Sequence, residues 1–203
     1  MKLDTRRIAV TGNIGSGKSA FCKILIDAGY LVINADELSK KLLVTNENLK
    51  NKIIQAFGYE AYIKGQINKK YIADKVFASP TNIKKVNSII HPVVISEIEK
   101  IFREKEGKEK IIFVEAALIY EAKMDDLFDY VVLISSEDNL RKERKINNAS
   151  MTTEEFYKRN SNQFSNDEKK KKADFVFENN SSLDDLKRKA YLLLNIMTGR
   201  END

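Results

Sequence analysis

Three glycines, a lysine and two serines lie close together near the start of the chain. The segment 12–19 reads GNIGSGKS and fits the pattern G-x-x-x-x-G-K-[ST] at every fixed position. Glycines at these spacings let the backbone turn tightly, so that successive N–H groups can point at the oxygens of a phosphate group. An apolar segment typical of a buried strand precedes this loop and a helical pattern follows it, as a true phosphate-binding loop requires. The sequence therefore predicts a site for the phosphates of a nucleotide.

Two side chains of this phosphate loop have predicted roles of their own. Lys18 is expected to contact the β- and γ-phosphates of ATP and to assist catalysis, and the Ser19 hydroxyl is expected to coordinate Mg²⁺. The other residues predicted to bind ATP through the loop are Gly12, Asn13, Ile14, Gly15, Ser16, Gly17 and Ala20. A glycine-rich turn without a ligand is the alternative, and the strand–loop–helix context disfavours it.

Composition limits the class of protein. The chain has 203 residues, 42% of them apolar, which is enough for one sizeable core. Its first residues are charged, and its longest apolar run, 111–120, is short and contains Glu115, so we expect no signal peptide and no membrane span. The single cysteine, Cys22, cannot form an internal disulfide. We therefore expect a cytoplasmic protein.

The net charge of +5 is concentrated in one segment. Residues 141–172 carry ten Lys or Arg against five Asp or Glu, which accounts for the whole excess. A basic face of this kind could contact nucleic acid, a membrane surface or a phosphorylated small molecule. Acidic residues interrupt the basic ones, and aromatic stacking platforms are not interleaved with them, so we expect no nucleic-acid partner. For the basic run 169–172 two interpretations are left with equal weight, a solvated face and a phosphate-binding site.

Five short apolar runs predict buried strands. They are 7–11, 31–34, 110–115, 130–134 and 174–177. The first, third and fourth runs are continuously apolar rather than alternating, as expected where helices cover both faces of a parallel sheet. Because helical patterns lie between the runs, the sequence predicts an α/β fold with a doubly wound, five-stranded parallel sheet.

Two absent motifs narrow the class of nucleotide-binding protein. Guanine-specific proteins use N-K-x-D, and the nearest candidate, 68–71, lacks the aspartate. No D-x-x-G segment for sensing a γ-phosphate occurs, and the chain is short for a large ATPase. The size suits a P-loop kinase, which transfers the γ-phosphoryl group of ATP to a small acceptor.

One connection between predicted strands is unusually long. About seventy residues separate the second strand from the third, far more than a usual crossover. Helical patterns at 49–57, 69–77, 83–90 and 93–102 predict an inserted helical subdomain there. We predict a single P-loop kinase domain, comprising a core of 1–40, 110–135 and 173–203, a helical substrate-binding insertion 41–109 and a helical lid 136–172. A packing elaboration without a ligand is the alternative for the insertion.

Segments along nearly the whole chain resemble the dephospho-CoA kinase family. In chain order they are 10–19, 33–38, 76–77, 89–94, 115–121, Arg159 with Gln163, Glu168 with Lys169, Ala173 with Asp174, and Asn179. Each segment is weak alone, and their common order makes the resemblance specific. The resemblance implies that the γ-phosphoryl group of ATP is transferred, with Mg²⁺, to the ribose 3′-hydroxyl of dephospho-CoA, giving coenzyme A and ADP. It also suggests a monomer or a small homo-oligomer.

Several residues depart from the family pattern. Asn34 replaces the first aspartate of a D-A-D segment, so any role there falls on the second one. Glu115 replaces the aspartate at the end of the third strand and is one methylene longer. Lys69 replaces an arginine common in the insertion and lacks its bidentate geometry toward phosphate. Ala20 and Ala117 replace a threonine and a proline.

Two carboxylates are candidates for the chemistry at the acceptor and at the metal. We predict that Asp36 orients or deprotonates the ribose hydroxyl, because a neutral hydroxyl must lose its proton as it attacks. The alternative is that Asp36 caps the helix that begins near Glu37. We predict that Glu115 is an outer-shell partner of Mg²⁺, with a salt bridge at the strand end as the alternative.

Three arginines of the predicted lid could close over the nucleotide and stabilise the negative charge that develops on the γ-phosphate during transfer. Arg159 is predicted to be catalytic, because its spacing to Gln163 matches the family, and Arg141 and Arg144 are predicted to bind ATP. The segment 147–150 resembles an insertion, which leaves open how the latter two correspond to the family's lid arginines. Solvated surface arginines are the alternative.

Lys69 and His91 are predicted, together with Asp36, to bind the acceptor substrate. For His91 the alternative is a residue at a helix start, ahead of a proline in the first helical position.

Two other functions stay open as alternatives. One is a nucleoside or nucleotide kinase of related fold, and the other is a P-loop protein that binds nucleic acid.

Overall fold

The computed structural model describes residues 4–76, 78–147 and 151–199. The described residues of 1–33 and 105–203 form one compact unit, and the described residues of 34–104 form the other. In these described ranges no helix combines the length and the apolar character that a membrane span needs. The predicted use of 41–109 for substrate binding and of 136–172 as a lid stays a prediction.

Strands, singly or in pairs, are followed along the chain by single α-helices or by groups of them. The strands are β1 Arg6–Thr11, β2 Leu31–Asn34, β3 Tyr62–Ile63, β4 Gln66–Ile67, β5 Ile111–Glu115, β6 Tyr130–Ser135 and β7 Phe175–Glu178. The α-helices are α1 Lys18–Asp27, α2 Ala35–Thr45, α3 Glu47–Phe57, α4 Lys69–Val76, α5 Pro80–Lys105, α6 Asp138–Ile146, α7 Thr153–Asn160, α8 Asn166–Lys170 and α9 Leu183–Thr198. Residue 77, predicted as the end of the α4 pattern, and residues 148–150 of the predicted insertion lie outside the described residues.

The first unit is built on a five-stranded sheet with the order β2-β5-β1-β6-β7. The pairs β1–β5, β1–β6 and β6–β7 are parallel, and the predicted doubly wound parallel sheet is confirmed. The central strand β1 is buried on both faces, because Ile8, Ala9 and Val10 are all inaccessible to solvent. That burial explains why its sequence is continuously apolar rather than alternating.

Helices α1 and α9 cover one face of this sheet. Phe21, Cys22 and Leu25 of α1 pack in the same core cluster as Ile8 and Val10 of β1. The predicted last helix is confirmed, and its apolar face buries Leu186, Ala190, Leu193, Leu194 and Met197. The phosphate loop therefore lies between a buried strand and a helix that is itself fixed by the core.

The second unit contains a β-hairpin that the sequence analysis did not predict. Strands β3 and β4 pair antiparallel, with Tyr62 opposite Ile67. The two turn residues, Lys64 and Gly65, have φ angles of 50° and 78°. Positive φ at both turn positions is the signature of a type I′ hairpin turn, which matches the twist of the strands. The predicted helical patterns form α3, α4 and α5, and the hairpin is an addition that the sequence did not show, since two-residue strands give no readable alternation.

Helix α5 joins two predicted helices into one. Pro92 lies inside it, so the reading of His91 as a helix-start residue ahead of a first-turn proline is wrong. The proline of the first helical position is Pro80, and the hydroxyl of Ser79 accepts a hydrogen bond from the N–H of Asn82. The helix continues through Pro92 because its buried stripe does so, running through Val86, Val94, Ile98 and Phe102. Packing on both sides outweighs the one lost hydrogen bond.

Helix α2 begins at Ala35, slightly earlier than the expected start near Glu37. Its N-cap is Asn34, whose side-chain oxygen accepts a hydrogen bond from the N–H of Glu37 at 3.0 Å. Asp36 lies in the first turn instead, so the alternative reading of Asp36 as the cap is wrong. Asparagine at position 34 thus keeps a structural role that an aspartate would also serve.

Replacing the cap should weaken the second unit. Asn34→Ala should lower the free energy of unfolding by about 1 kcal/mol, because the N–H of Glu37 loses its partner. Asn34→Asp is the matched control and should unfold like the wild type, since a carboxylate accepts the same hydrogen bond. Urea denaturation followed by circular dichroism measures both variants, and an Asn34→Ala curve that overlays the wild type would contradict the assignment of the cap.

Candidate active site

The phosphate loop connects β1 to α1 through two glycines in the left-handed region. Gly15 and Gly17 have φ angles of 81° and 95°. A Cβ atom on Gly15 would lie 2.3 Å from the backbone oxygen of Arg141, and one on Gly17 would lie 2.1 Å from Nδ2 of Asn179. Both the backbone conformation and the close neighbours therefore require glycine. The sequence predicted the need for a tight backbone turn, but it could not show which atoms of other elements lie close to these glycines.

The carbonyl groups of the loop are held by side chains from other elements. Arg141 donates from NH1 to the carbonyl oxygen of Ile14 at 3.1 Å, and Nδ2 of Asn179 donates to the oxygen of Ser16 at 2.8 Å. Because the C=O and N–H of one trans peptide point in opposite directions, these bonds turn the N–H groups of Gly15 and Gly17 to the other side. The loop thus presents N–H groups on the side away from Arg141 and Asn179.

Helix α1 adds to this positive character. It begins at Lys18, directly after Gly17, and within the described chain no side chain caps its N-terminus. Its first N–H groups therefore lack intrahelical partners, and they lie at the positive end of the helix dipole. An anion at this point would satisfy them.

Lys18, Ser19 and Glu115 meet at the end of β5. The Ser19 hydroxyl donates to Oε1 of Glu115 at 2.6 Å, and Nζ of Lys18 lies 3.7 Å from the same oxygen. Glu115 is only 7% exposed, and both contacts offset the cost of burying its charge. The alternative of a salt bridge at the strand end therefore describes a real contact. The role of Glu115 toward a metal stays a prediction.

Cys22 lies one turn beyond Ser19 and is buried. Burial raises the pKa of its thiol, and the nearby charge of Glu115 raises that pKa further. A thiol with a raised pKa is not a nucleophile at neutral pH. Cys22 therefore packs in the core below the loop, as its position in the α1 pattern predicts.

The described residues contain no cluster of three or more His, Cys, Asp or Glu side chains that could hold a metal ion alone. A hydroxyl and a carboxylate, from Ser19 and Glu115, are nevertheless hard oxygen ligands that lie in contact. Mg²⁺ is usually bound by one or two such groups together with waters and the oxygens of substrate phosphates. The donor set thus fits Mg²⁺ that arrives with a nucleotide.

Four residues of the family-like pattern that had no individual role assigned from the sequence make defined side-chain hydrogen bonds in the structure. Gln163 accepts from the N–H of Ile14 at 2.9 Å, and Asn179 holds Ser16 as described above. Asp174 accepts from the N–H of Val131 in the neighbouring strand at 2.7 Å. Their recurrence in the motif was the only sequence signal for these roles.

The fourth residue, Lys169, is fully buried. Its ammonium lies 3.0 Å from Oε1 of Glu121 and donates to the carbonyl oxygen of Ala117 at 2.8 Å. Burial lowers the pKa of Lys169, and the carboxylate of Glu121 opposes that shift. The expectation of a solvated face is therefore wrong for this residue, and the expectation of a phosphate-binding site stays a prediction.

The three predicted arginines are in different settings. Arg141 is 2% exposed, is paired with Asp138 at 2.6 Å and contacts the loop from its carbonyl side. Arg144 donates to the carbonyl oxygens of Asn179 at 2.8 Å and Gly15 at 3.5 Å. Arg159 is exposed on α7, and its side chain has no hydrogen bond or ion pair with the residues that the structure describes. Contact of any of the three with ATP stays a prediction.

The predicted substrate residues Asp36, Lys69 and His91 belong to the second unit. Asp36 and Lys69 are exposed, and His91 is half-buried on α5. Their proximity to the phosphate loop stays a prediction. Ala20 lies partly buried in the first turn of α1, next to the core cluster.

A methyl group at position 15 should damage the loop. Gly15→Ala forces a contact with the backbone of Arg141, which cannot move without displacing α6. The matched control is Gly29→Ala, whose glycine has a φ of 89° and no atom within 4 Å of the place that a Cβ would occupy. The control should cost only the left-handed strain of about 1–2 kcal/mol. Nucleotide binding, measured by calorimetry, should be lost in Gly15→Ala and kept in Gly29→Ala; equal binding by both would contradict the steric argument.

This chain is similar in sequence and in fold to known proteins of one family. A family model described as dephospho-CoA kinase matches residues 6–185. The dephospho-CoA kinase of Chlamydia felis is 32% identical over 189 residues, covering 92% of this chain and 94% of that protein. A crystal structure from Thermus thermophilus is 28% identical with a TM-score of 0.80, covering 95% of this chain and 98% of that one. A dephospho-CoA kinase structure from Campylobacter jejuni is 25% identical with a TM-score of 0.64, covering 95% of this chain and 97% of that one. The chain belongs to the dephospho-CoA kinase family.

Proposed function

We propose that this protein transfers the γ-phosphoryl group of ATP to the ribose 3′-hydroxyl of dephospho-CoA, giving coenzyme A and ADP. The observation that carries the proposal is the phosphate loop, where unpaired N–H groups at the start of α1 lie beside Lys18 and Ser19. The loop supports binding of a nucleotide, and the family supports the choice of acceptor. Coenzyme A synthesis ends with this reaction.

The chain's own groups are suited to hold the triphosphate. The N–H groups of Gly15 and Gly17 and of the first turn of α1 can donate to phosphate oxygens. The ammonium of Lys18 can contact the β- and γ-phosphates once it leaves Glu115, from which it is separated by 3.7 Å. Phosphoryl transfer asks a protein mainly to position reactants and to neutralise charge, and this arrangement supplies both.

Mg²⁺ is proposed as the accompanying ion. Ser19 would hold it through the hydroxyl, and Glu115 would fix that hydroxyl or a bound water through its carboxylate. The ion, when bound, neutralises charge on the β- and γ-phosphate oxygens. The 2.6 Å contact between Ser19 and Glu115 supports their joint assignment.

Asp36 is proposed to accept or orient the proton of the attacking hydroxyl. Its position supports this role in one respect, because Asn34 already caps α2 and leaves the exposed carboxylate of Asp36 unused by the cap. Lys69 and His91 are proposed to bind the acceptor, as the family pattern implies. Arg159 is proposed to meet the charge that develops on the γ-phosphate, since its guanidinium is exposed and has no partner among the described side chains.

Arg141 and Arg144 are proposed to act on ATP through the loop they hold.

The proposal extends to location and assembly: a cytoplasmic protein, monomeric or a small homo-oligomer, with no nucleic-acid partner. A nucleoside or nucleotide kinase remains the alternative function, and the choice of acceptor separates the two.

Acceptor specificity tests the proposed function directly. Wild-type protein with ATP and Mg²⁺ should release ADP rapidly with dephospho-CoA and slowly with nucleosides, nucleoside monophosphates or shikimate, as followed by a coupled assay. Lys18→Met should lose about 10²–10³ in rate, because a charge aimed at the transferred group is removed. Rapid ADP release with a nucleoside and none with dephospho-CoA would instead establish the alternative.

Asp36→Asn should slow turnover without unfolding the protein. We expect kcat to fall by about 10²–10⁴-fold, the usual contribution of a positioned general base. Glu37→Gln is the matched control on the same helical turn. The exposed ion pair of Glu37 with Lys40 contributes little to stability, so turnover of this variant should stay within about twofold of the wild type. Steady-state kinetics with dephospho-CoA measures both. If Asp36→Asn turns over like Glu37→Gln, Asp36 does not act on the hydroxyl.

A further inference from the structure

The turn 161–165 follows α7 and contacts the phosphate loop through two uncharged side chains, Gln163 of the turn and Asn13 of the loop. Oε1 of Gln163 accepts a hydrogen bond from the N–H of Ile14 at 2.9 Å. We propose that Gln163 is a positioning residue, which fixes the outer half of the phosphate loop relative to the helix that carries Arg159. This inference rests on the proposed function, because it concerns the same transfer of a phosphoryl group.

The two peptide groups around Ile14 are each held by a side chain. Gln163 holds the N–H of Ile14, and NH1 of Arg141 holds its carbonyl oxygen at 3.1 Å. The peptide that carries this carbonyl also carries the N–H of Gly15, so its direction is fixed by the same pair of contacts. If either contact is lost, the peptide group between Ile14 and Gly15 can rotate, and the N–H of Gly15 then no longer points at the phosphates.

The turn itself is anchored, so that Gln163 can act as a fixed point. The carbonyl oxygen of Phe164 accepts a hydrogen bond from Nδ2 of Asn13 at 3.0 Å. The backbone N–H of Phe164 donates to Oε1 of Glu121 at 2.7 Å. Glu121 is in turn paired with the buried ammonium of Lys169 at 3.0 Å. Removing either partner would leave the other charge buried without compensation, so Glu121 stays beside Lys169.

The same turn continues directly from α7. The N–H of Gln163 donates to the carbonyl oxygen of Asn160 at 3.1 Å, and the side chain of Asn160 accepts from Arg141 at 2.9 Å. Arg159 is the preceding residue. The spacing of four residues between Arg159 and Gln163 thus places Arg159 on the helix and Gln163 in the turn, where it contacts the phosphate loop.

The chemistry of Gln163 suits this place. An amide oxygen accepts a hydrogen bond without adding a negative charge, whereas a carboxylate would repel the phosphates that the loop is built to bind. An asparagine is one methylene shorter and could not span the same 2.9 Å contact from the same backbone.

Three variants test the inference. Gln163→Met keeps the length and removes the acceptor, Gln163→Asn keeps the amide and removes the reach, and Asn162→Ala is the control on the neighbouring exposed residue. In nucleotide-free protein, amide exchange at Ile14 should speed up about fivefold or more in the first two, the equivalent of one hydrogen bond, and stay unchanged in the control. Their kcat should fall by a similar factor, about fivefold, while the KM for dephospho-CoA stays within about twofold, because the acceptor site is untouched.

The outcomes separate this inference from the proposed function. If the wild type does not phosphorylate dephospho-CoA, the function fails, whereas the exchange of Ile14 still reports whether Gln163 holds the loop. If the wild type is active and both Gln163 variants match Asn162→Ala in kcat, the positioning role is wrong. If Gln163→Met does not fold, Gln163→Asn decides by the same two measurements. A loss of thermal stability with unchanged kcat would show a structural role only and would overturn the inference.

Discussion

The direction of a few peptide groups in the phosphate loop is the constraint on which the site depends. A loop of this kind binds an anion only if its N–H groups face one way, and an isolated glycine-rich turn has no reason to hold them so. Here the carbonyl oxygens of Ile14 and Ser16 are held by Arg141 and Asn179. Each of these bonds fixes the following N–H on the opposite side. The surrounding elements thus preorganise the loop before any ligand arrives.

This constraint explains why so many charged and polar side chains are buried around a small loop. Arg141 and Lys169 are among the largest fully buried side chains of the described chain. Neither is free to contact solvent, and each satisfies backbone oxygens, of Ile14 and Ala117 respectively. Burying a charge is costly unless it is paired, and both are paired, with Asp138 and Glu121. The excess of basic residues in 141–172 is therefore partly structural and only partly a surface property.

The sequence predicted the elements with strong periodicity and missed those whose signal is short or non-local. All five strands of the parallel sheet were found within one residue at each end. For β1, β5 and β6 the reason is that continuous apolar runs reflect burial on both faces. The hairpin at Tyr62–Ile63 and Gln66–Ile67 was missed because two residues cannot show alternation. Helix α5 was divided at Pro92, since local propensity disfavours an interior proline and only tertiary packing overrides it.

The same distinction applies to the site. The loop and the neighbourhood of Ser19 and Glu115 could be predicted, because a motif fixes the first and a strand end places the second. The bonds of Gln163 and Asn179 to the loop could not, since each joins residues about 150 positions or more apart in the chain. The sequence showed that these residues recur in the family and gave no contact to explain it.

The departures from the family pattern show which property each position has to keep. Glu115 is longer than the aspartate it replaces, yet its carboxylate reaches the Ser19 hydroxyl at 2.6 Å. Asn34 replaces another aspartate and still supplies the oxygen that caps α2 at 3.0 Å. In both places the atom that accepts the hydrogen bond is kept while the residue type changes. Charge is therefore not required at position 34, where the cap needs only an oxygen. It is required at position 115, where Lys18 lies 3.7 Å away and a neutral amide would leave a partly buried ammonium without its counter-charge.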